Sequence, residues 1–187
     1  MNRYLPLALI AGLLIAFRIV GSAFPESLPN FQPLAAVFFC GALLAPGWRG
    51  FAIPFVIWAI TFPLGIGHVN GPLDFASTLA AFVASYFLGK ALTHRGFPTL
   101  LLGSAAAAVA FHLITCGAAW ITDPLYAKSL NGVFQSVWSG PVGSPIPSWV
   151  FLRNLTAANV LFTAIFDLAQ LRLPKPAVTA SETAFAK

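Results

Sequence analysis

Apolar runs nearly free of charge follow one another from Tyr4 to Leu171 in this 187-residue chain. In lipid such a run must satisfy its own backbone donors and acceptors, so only helices and closed barrels can cross a bilayer. A spanning helix needs about 20 apolar residues, whereas a barrel strand needs about ten of alternating polarity. The runs here are long and do not alternate. With 58% hydrophobic and 8% charged residues and a mean hydropathy of +0.84, no stretch remains for a water-soluble domain. The chain therefore reads as an all-α integral membrane protein, one polytopic domain over residues 1–172. The polar tail at 173–187 has no apolar periodicity and is expected to be disordered and cytoplasmic.

Cutting the runs at charges and Gly/Pro clusters gives six helical segments: Tyr4–Phe24, Pro33–Ala45, Phe51–Ile66, Leu73–Leu92, Thr99–Thr122 and Trp149–Leu171. The expected architecture is a six-helix bundle. Its second segment, bracketed by Pro33 and Pro46, is too short to cross comfortably; it is either a tilted span or a re-entrant helix buried against its neighbours. Pro54 and Pro63 predict a kinked third helix. The start of the chain has some marks of a cleaved leader, but Arg18 interrupts the region where cleavage would fall, so an uncleaved first span is expected. With the N-terminus inside, Arg3, Arg49, Lys90, Arg95, Arg172, Lys175 and Lys187 all fall on the cytoplasmic side, as the positive-inside rule asks. A bacterial inner-membrane protein with both termini cytoplasmic is the expected placement.

Against that background Arg18 and Arg153 are unusual, because each lies inside or at the lip of an apolar run near the same, outer face. A guanidinium near mid-bilayer costs at least ~2.5–3.5 kcal/mol, which points to use on an anionic or strongly polar partner; snorkelling to the headgroups is the plainer reading. Asn30-Phe31-Gln32-Pro33 stands where the chain re-enters the membrane, with Asn30 placed to cap the second helix or to reach an outer cavity. On the last helix Arg153, Asn154, Thr156 and Asn159 form a polar stripe, which serves either interhelical hydrogen bonds or a ligand pocket. After the fifth segment, Leu125, Leu130, Val133, Phe134 and Val137 have the spacing of an amphipathic helix lying in the last outer loop, within Pro124–Ser139. Ala8, Gly12 and Ala16 recur every four residues on the first helix, a small-residue row that admits a close helix partner, internal or from another subunit.

Other chemistry is poorly supported. Cys40 and Cys116 lie within apolar runs and read as buried thiols. His68, His94 and His112 fall on separate segments at different depths, so neither a metal site nor haem ligation is expected. No hydrolase or protease pattern occurs, no nucleotide-binding loop is present, and no enzyme activity or cofactor is expected. The formal charge of +5 is scattered among the apolar runs rather than gathered into a nucleic-acid patch.

Taken together, N-F-Q-P-L-A-A at 30–36 with Gly41, the Thr115–Trp120 stretch, and F-L-R-N with N-V-L-F-T-A within 151–164 resemble a bacterial family of small six-span membrane proteins. That family is similar to the substrate-binding S components of energy-coupling-factor vitamin transporters. The resemblance implies a ligand near the outer face, a transmembrane coupling subunit docked on Ala8, Gly12 and Ala16, and ATPase subunits beyond it. It implies an outer site built from Asn30, Phe31, Trp120, Arg153 and Asn154, to which the charge argument adds Arg18 and the polar stripe adds Asn159. The expected function is binding of a small, vitamin-like, polar or anionic solute for transport. The competing expectation is a non-transporting structural or accessory subunit whose outer polar groups pair with one another.

Overall fold

In a computed structural model the described residues are 28–44, 47–61 and 71–172, preceded by 12–13, 15–17, 19–20 and 24. All regular structure among them is helical. Helical residues between 12 and 20 are followed by α1 (Leu34–Leu44), α2 (Arg49–Thr61), α3 (Pro72–Leu92), α4 (Phe97–Thr122), α5 (Leu130–Val137) and α6 (Ser148–Arg172). Three of these, α3, α4 and the Ser148–Leu168 part of α6, are long and apolar enough to cross a membrane, whereas α1 and α2 are shorter apolar helices. The chain is thus a helical membrane protein. Ala8, Arg18 and the tail at 173–187 lie outside the described residues.

The bundle is arranged for lipid. Phe87, Leu102, Leu113, Leu161, Ile165 and Leu168 point outward, while Ser85, Ser104, His112, Asn159 and Thr163 are buried between helices. A water-soluble bundle would reverse this pattern; where the solvent is hydrocarbon, large apolar side chains face out and small or polar groups join the helices.

α1 is the core of the molecule. Every residue from Leu34 to Cys40 is buried, and the helix packs against α2, α3, α4 and α6. At ~1.5 Å per residue its 11 residues reach only about half the hydrocarbon thickness. A helix apolar on every side and enclosed on every side needs no amphipathic stripe, and α1 has none. Its position depends on close approach. A methyl group added at Gly89 would strike the carbonyl of Phe39, and one added at Gly41 would strike the carbonyl of Gly50. Aromatic rings fill the rest: Phe38 stacks on Phe82 at 4.3 Å, and Phe82 meets Phe111 at 5.3 Å.

α3 and α4 form an antiparallel pair, joined by residues 93–96. Gly103 lies opposite Leu92, and Phe111 opposite Phe82. Pro98 lies in the first turn of α4, where a proline loses no helical bond. Pro54 lies inside α2; Pro63 is outside the described residues.

The amphipathic element after α4 is shorter than its spacing predicts. Asp123 Oδ1 accepts from Leu125 N at 2.8 Å, an Asx turn that uses up the residues around Pro124. Ser129 then caps α5 by accepting from Gly132 N. Gly132 and Ser136 face the bundle, whereas Leu130 (88% exposed) and Phe134 (69%) face outward. The apolar side of this helix therefore turns away from the protein.

Candidate functional site

Helical periodicity puts two polar stripes opposite each other at the end of the bundle where α3 begins and α4 ends. Asp74, Ser77 and Thr78 lie three and four apart on α3; Thr115, Ala119, Thr122 and Asp123 lie four, seven and eight apart along α4. Between them is a cavity of about 520 Å³ lined by these residues with Gly71, Pro72 and Leu73. Its deepest hydroxyl on α4, Thr115, stands seven residues from Thr122, about 10 Å below the helix end at 1.5 Å per residue.

The hydroxyl protons of this cleft are largely committed to the backbone. Ser77 Oγ donates to the Asp74 carbonyl (3.0 Å), Thr115 Oγ1 to the carbonyls of Phe111 (3.0 Å) and His112 (3.2 Å), and Thr122 Oγ1 to that of Ala118 (3.0 Å). Thr78 has no hydrogen-bond partner among the described residues. What three of the hydroxyls still present is lone pairs, and Asp123 already accepts from Leu125 N through Oδ1. Among the described residues no group of three His, Cys, Asp or Glu side chains stands close enough to hold a metal ion.

Of the site residues expected from sequence, Asn30, Phe31, Trp120, Arg153, Asn154 and Asn159 are not among the described residues that line this cleft, and Arg18 lies outside the described residues. Phe31 packs against Phe17 (6.4 Å between centroids) and Phe162 (6.2 Å), which meet each other edge-on at 4.8 Å. Next to it, buried Asn154 donates from Nδ2 to the Pro29 carbonyl at 3.0 Å and accepts on Oδ1 from Arg153 Nε at 3.1 Å. Arg153 is exposed, its guanidinium 5.3 Å from the centre of the Trp149 ring. These residues form one cluster around the non-helical segment leading into α1. Asn30 belongs to that segment but does not cap α1: it is exposed, holds a left-handed φ of 59°, and its backbone carbonyl accepts from Gln32 N. It is the residue type that tolerates this turn.

Trp120 stands apart. Its indole N–H donates to the Ala127 carbonyl at 2.9 Å, and Lys128 lies over the ring at 5.9 Å while donating to the carbonyls of Trp120 and Asp123. Deeper still, Asn159 is fully buried; its Nδ2 donates to the Ser104 carbonyl at 3.1 Å, and its Oδ1, like Thr156 Oγ1, has no partner. Gly12 and Ala16 are helical and exposed, with nothing within 4 Å of a methyl group placed at Gly12. His112 joins α5 to α4 through Nε2 and the Val137 carbonyl at 2.8 Å, with Cys116 Sγ 3.5 Å from the same nitrogen.

The cleft was nonetheless readable. An acid followed at three and four residues by hydroxyls, facing a second stripe with an acid at its end, is an uneconomical pattern for helices in lipid. Hydroxyls in apolar runs usually bond their own backbone, as Ser77, Thr115 and Thr122 do, so this stripe carries a weaker signal than a lone arginine.

Residues 1–176 match a family described as a family of unknown function (DUF6580). No curated protein and no solved structure matches the chain.

Proposed function

The chain belongs to DUF6580, a family of unknown function, and from that premise we propose that it is a solute-binding membrane component, like the S components of energy-coupling-factor transporters. The single observation that carries the reading is the 520 Å³ cleft between α3 and α4, in the size range of small-molecule sites and open at the end of two spanning helices. A groove of that size, carrying four hydroxyls in a partly apolar lining at the end of a lipid-facing bundle, suits a ligand better than it serves stability.

In this reading the chain crosses a bacterial inner membrane six times with both termini inside. The N-terminal helix, the segment 28–44, α2, α3, α4 and α6 make the crossings. Residues 28–33 with α1 count as one crossing, an irregular outer stretch followed by a short helix; irregular backbone at that depth is tolerated where protein covers it, and Asn154 on the Pro29 carbonyl supplies such cover. The exposed apolar side of α5 lies in the outer interface, flanked by Trp120, Trp138 and Trp149. Exposed Gly12 and Ala16 present the face for a coupling subunit. Movement of solute requires such a partner with ATPase subunits, since this sequence carries no nucleotide-binding loop.

A second reading, an accessory subunit, is favoured by one observation: polar groups near the cleft's end of the bundle pair internally, Arg153 with Asn154 and Lys128 with backbone carbonyls. Affinity purification from native membranes in mild detergent, with mass spectrometry of co-purifying proteins and small molecules, separates the two. A retained solute or an ATPase-bearing module is the expected result. A stable complex containing neither would replace the transporter reading with the accessory one.

A further inference from the structure

We infer that Arg153 and Trp149 seat the phosphate of a phospholipid on the outward side of α6. This requires only that α6 crosses the membrane, for which Ser148–Leu168 is long and apolar enough, and not that the cleft takes a solute. Trp149, Arg153, Ala157, Leu161, Ile165 and Leu168 follow one another every three or four residues on α6, and all are exposed. One guanidinium thus stands on an otherwise apolar stripe that faces lipid. A charge in that position is costly unless it reaches the headgroup layer and an anion there.

The side chain is set for that layer. Helical side chains lean toward the start of their helix, and the Arg153 guanidinium lies 5.3 Å from the centre of the Trp149 ring, one turn or about 6 Å nearer the start of α6. Its Nε donates to Asn154 Oδ1 at 3.1 Å. That bond and the indole face orient the guanidinium and leave its Nη N–H groups without a partner among the described residues. Two coplanar N–H groups match two oxygens of a phosphate. No acidic side chain stands in the first turn of α6 to take their place. Depth agrees with this partner. Trp149 N donates to the Trp138 carbonyl at 2.9 Å, the two rings lie 6.5 Å apart, and the outward apolar side of α5 continues from them through Phe134 and Leu130. Tryptophans settle at headgroup level, where the phosphates are. A free anion would meet a single exposed cation in water, a pairing of little value; a phospholipid adds acyl chains lying along Ala157, Leu161 and Ile165.

The test is native mass spectrometry of the full chain released from maltoside micelles, with thermal unfolding in the same mixtures. Three probes are added in turn: phosphatidylglycerol, diacylglycerol with the same acyl chains, and inorganic phosphate. Phosphatidylglycerol is expected to stay bound and to raise the melting temperature; the other two should do neither. Arg153→Gln should cut retention about fivefold and abolish the rise, while melting like the parent without lipid. Trp149→Ala should cut retention about threefold, which keeps the site testable if Arg153→Gln does not fold. Lys128→Gln, another exposed cation at the same end of the bundle, should change neither readout. Equal retention of diacylglycerol would overturn the inference by showing that acyl contacts suffice, and a melting shift with inorganic phosphate alone would replace the lipid with a free anion. Undiminished retention in Arg153→Gln, an equal loss in Lys128→Gln, or no lipid held by the folded parent would also overturn it. None of these outcomes touches the solute-binding reading, which is decided by what co-purifies from native membranes.

Discussion

Asn154 and Asn159 sit one and a half turns apart on α6, and their amides are in opposite circumstances. Asn154 uses both ends, holding the Pro29 carbonyl and accepting from Arg153, where the chain is not helical and that carbonyl has no ladder to join. Asn159 donates to Ser104, whose carbonyl already lies within the α4 ladder, and leaves its own Oδ1 unpaired. Removing a partner costs most when it leaves a buried group unsatisfied. Asn154→Ala is therefore expected to lose about 1–3 kcal/mol, while Asn159→Leu changes stability by less than about 1 kcal/mol because it also removes an orphan acceptor. Thermal unfolding of the purified variants in one detergent checks the ranking; equal losses would mean that the Pro29 bond contributes nothing. Arg153→Ala, at an exposed position, should stay within about 0.5 kcal/mol of the parent. The sequence marked Asn154 and Arg153 as unusual, and they are neighbours in space as well as in the chain. It could not show that Asn154 faces backbone, because the Pro29 carbonyl that needs it is 125 residues away.

At the scale of elements, boundaries followed chemistry that is local. Pro33 and Pro46 bracket the segment that became α1, and Gly96 with Pro98 opens α4 within two residues of the expected start. Burial was harder to read: an apolar 11-residue run is equally a tilted span or an enclosed helix until its neighbours are known. The contact that distinguishes them is the approach of α3 to α1 at Gly89. A methyl group there has the backbone carbonyl of Phe39 in its way, and a carbonyl cannot rotate aside as a side chain can. Gly89→Ala should cost about 1–3 kcal/mol through overpacking, despite alanine's better helix propensity. Gly117→Ala provides the control, since nothing lies within 4 Å of its added methyl, and there the propensity gain should appear. A melting series in detergent reads both; a Gly89→Ala protein as stable as the parent would show that α1 can shift away from α3. The amphipathic helix lies in the expected loop but begins only at Leu130, because the Asx turn at Asp123 uses a side-chain bond that periodicity does not register.

For the whole molecule, the distribution of charge and the distribution of apolar surface have to agree on one orientation. Arg95 and His94 are exposed in the turn between α3 and α4, at the opposite end of that pair from the cleft; Lys128 is exposed beyond the other end of α4. The excess of basic residues near the 93–96 end favours the cytoplasm for that turn and the outside for the cleft. This can be measured directly by cysteine labelling in whole cells with a membrane-impermeant maleimide. Cys116 is replaced by serine to clear the half-buried thiol, while Cys40, fully buried in α1, needs no change because a maleimide cannot reach it in the folded protein. In that background Lys128→Cys should label in intact cells, and Arg95→Cys only after permeabilisation. The reverse pattern would place the cleft in the cytoplasm, and any solute taken there would come from inside. Labelling of both in intact cells would mean that α4 does not cross at all, against its length and its apolar outer side. Only the first outcome is compatible with a protein that captures solute from outside, so orientation bears on function as directly as any substitution in the cleft.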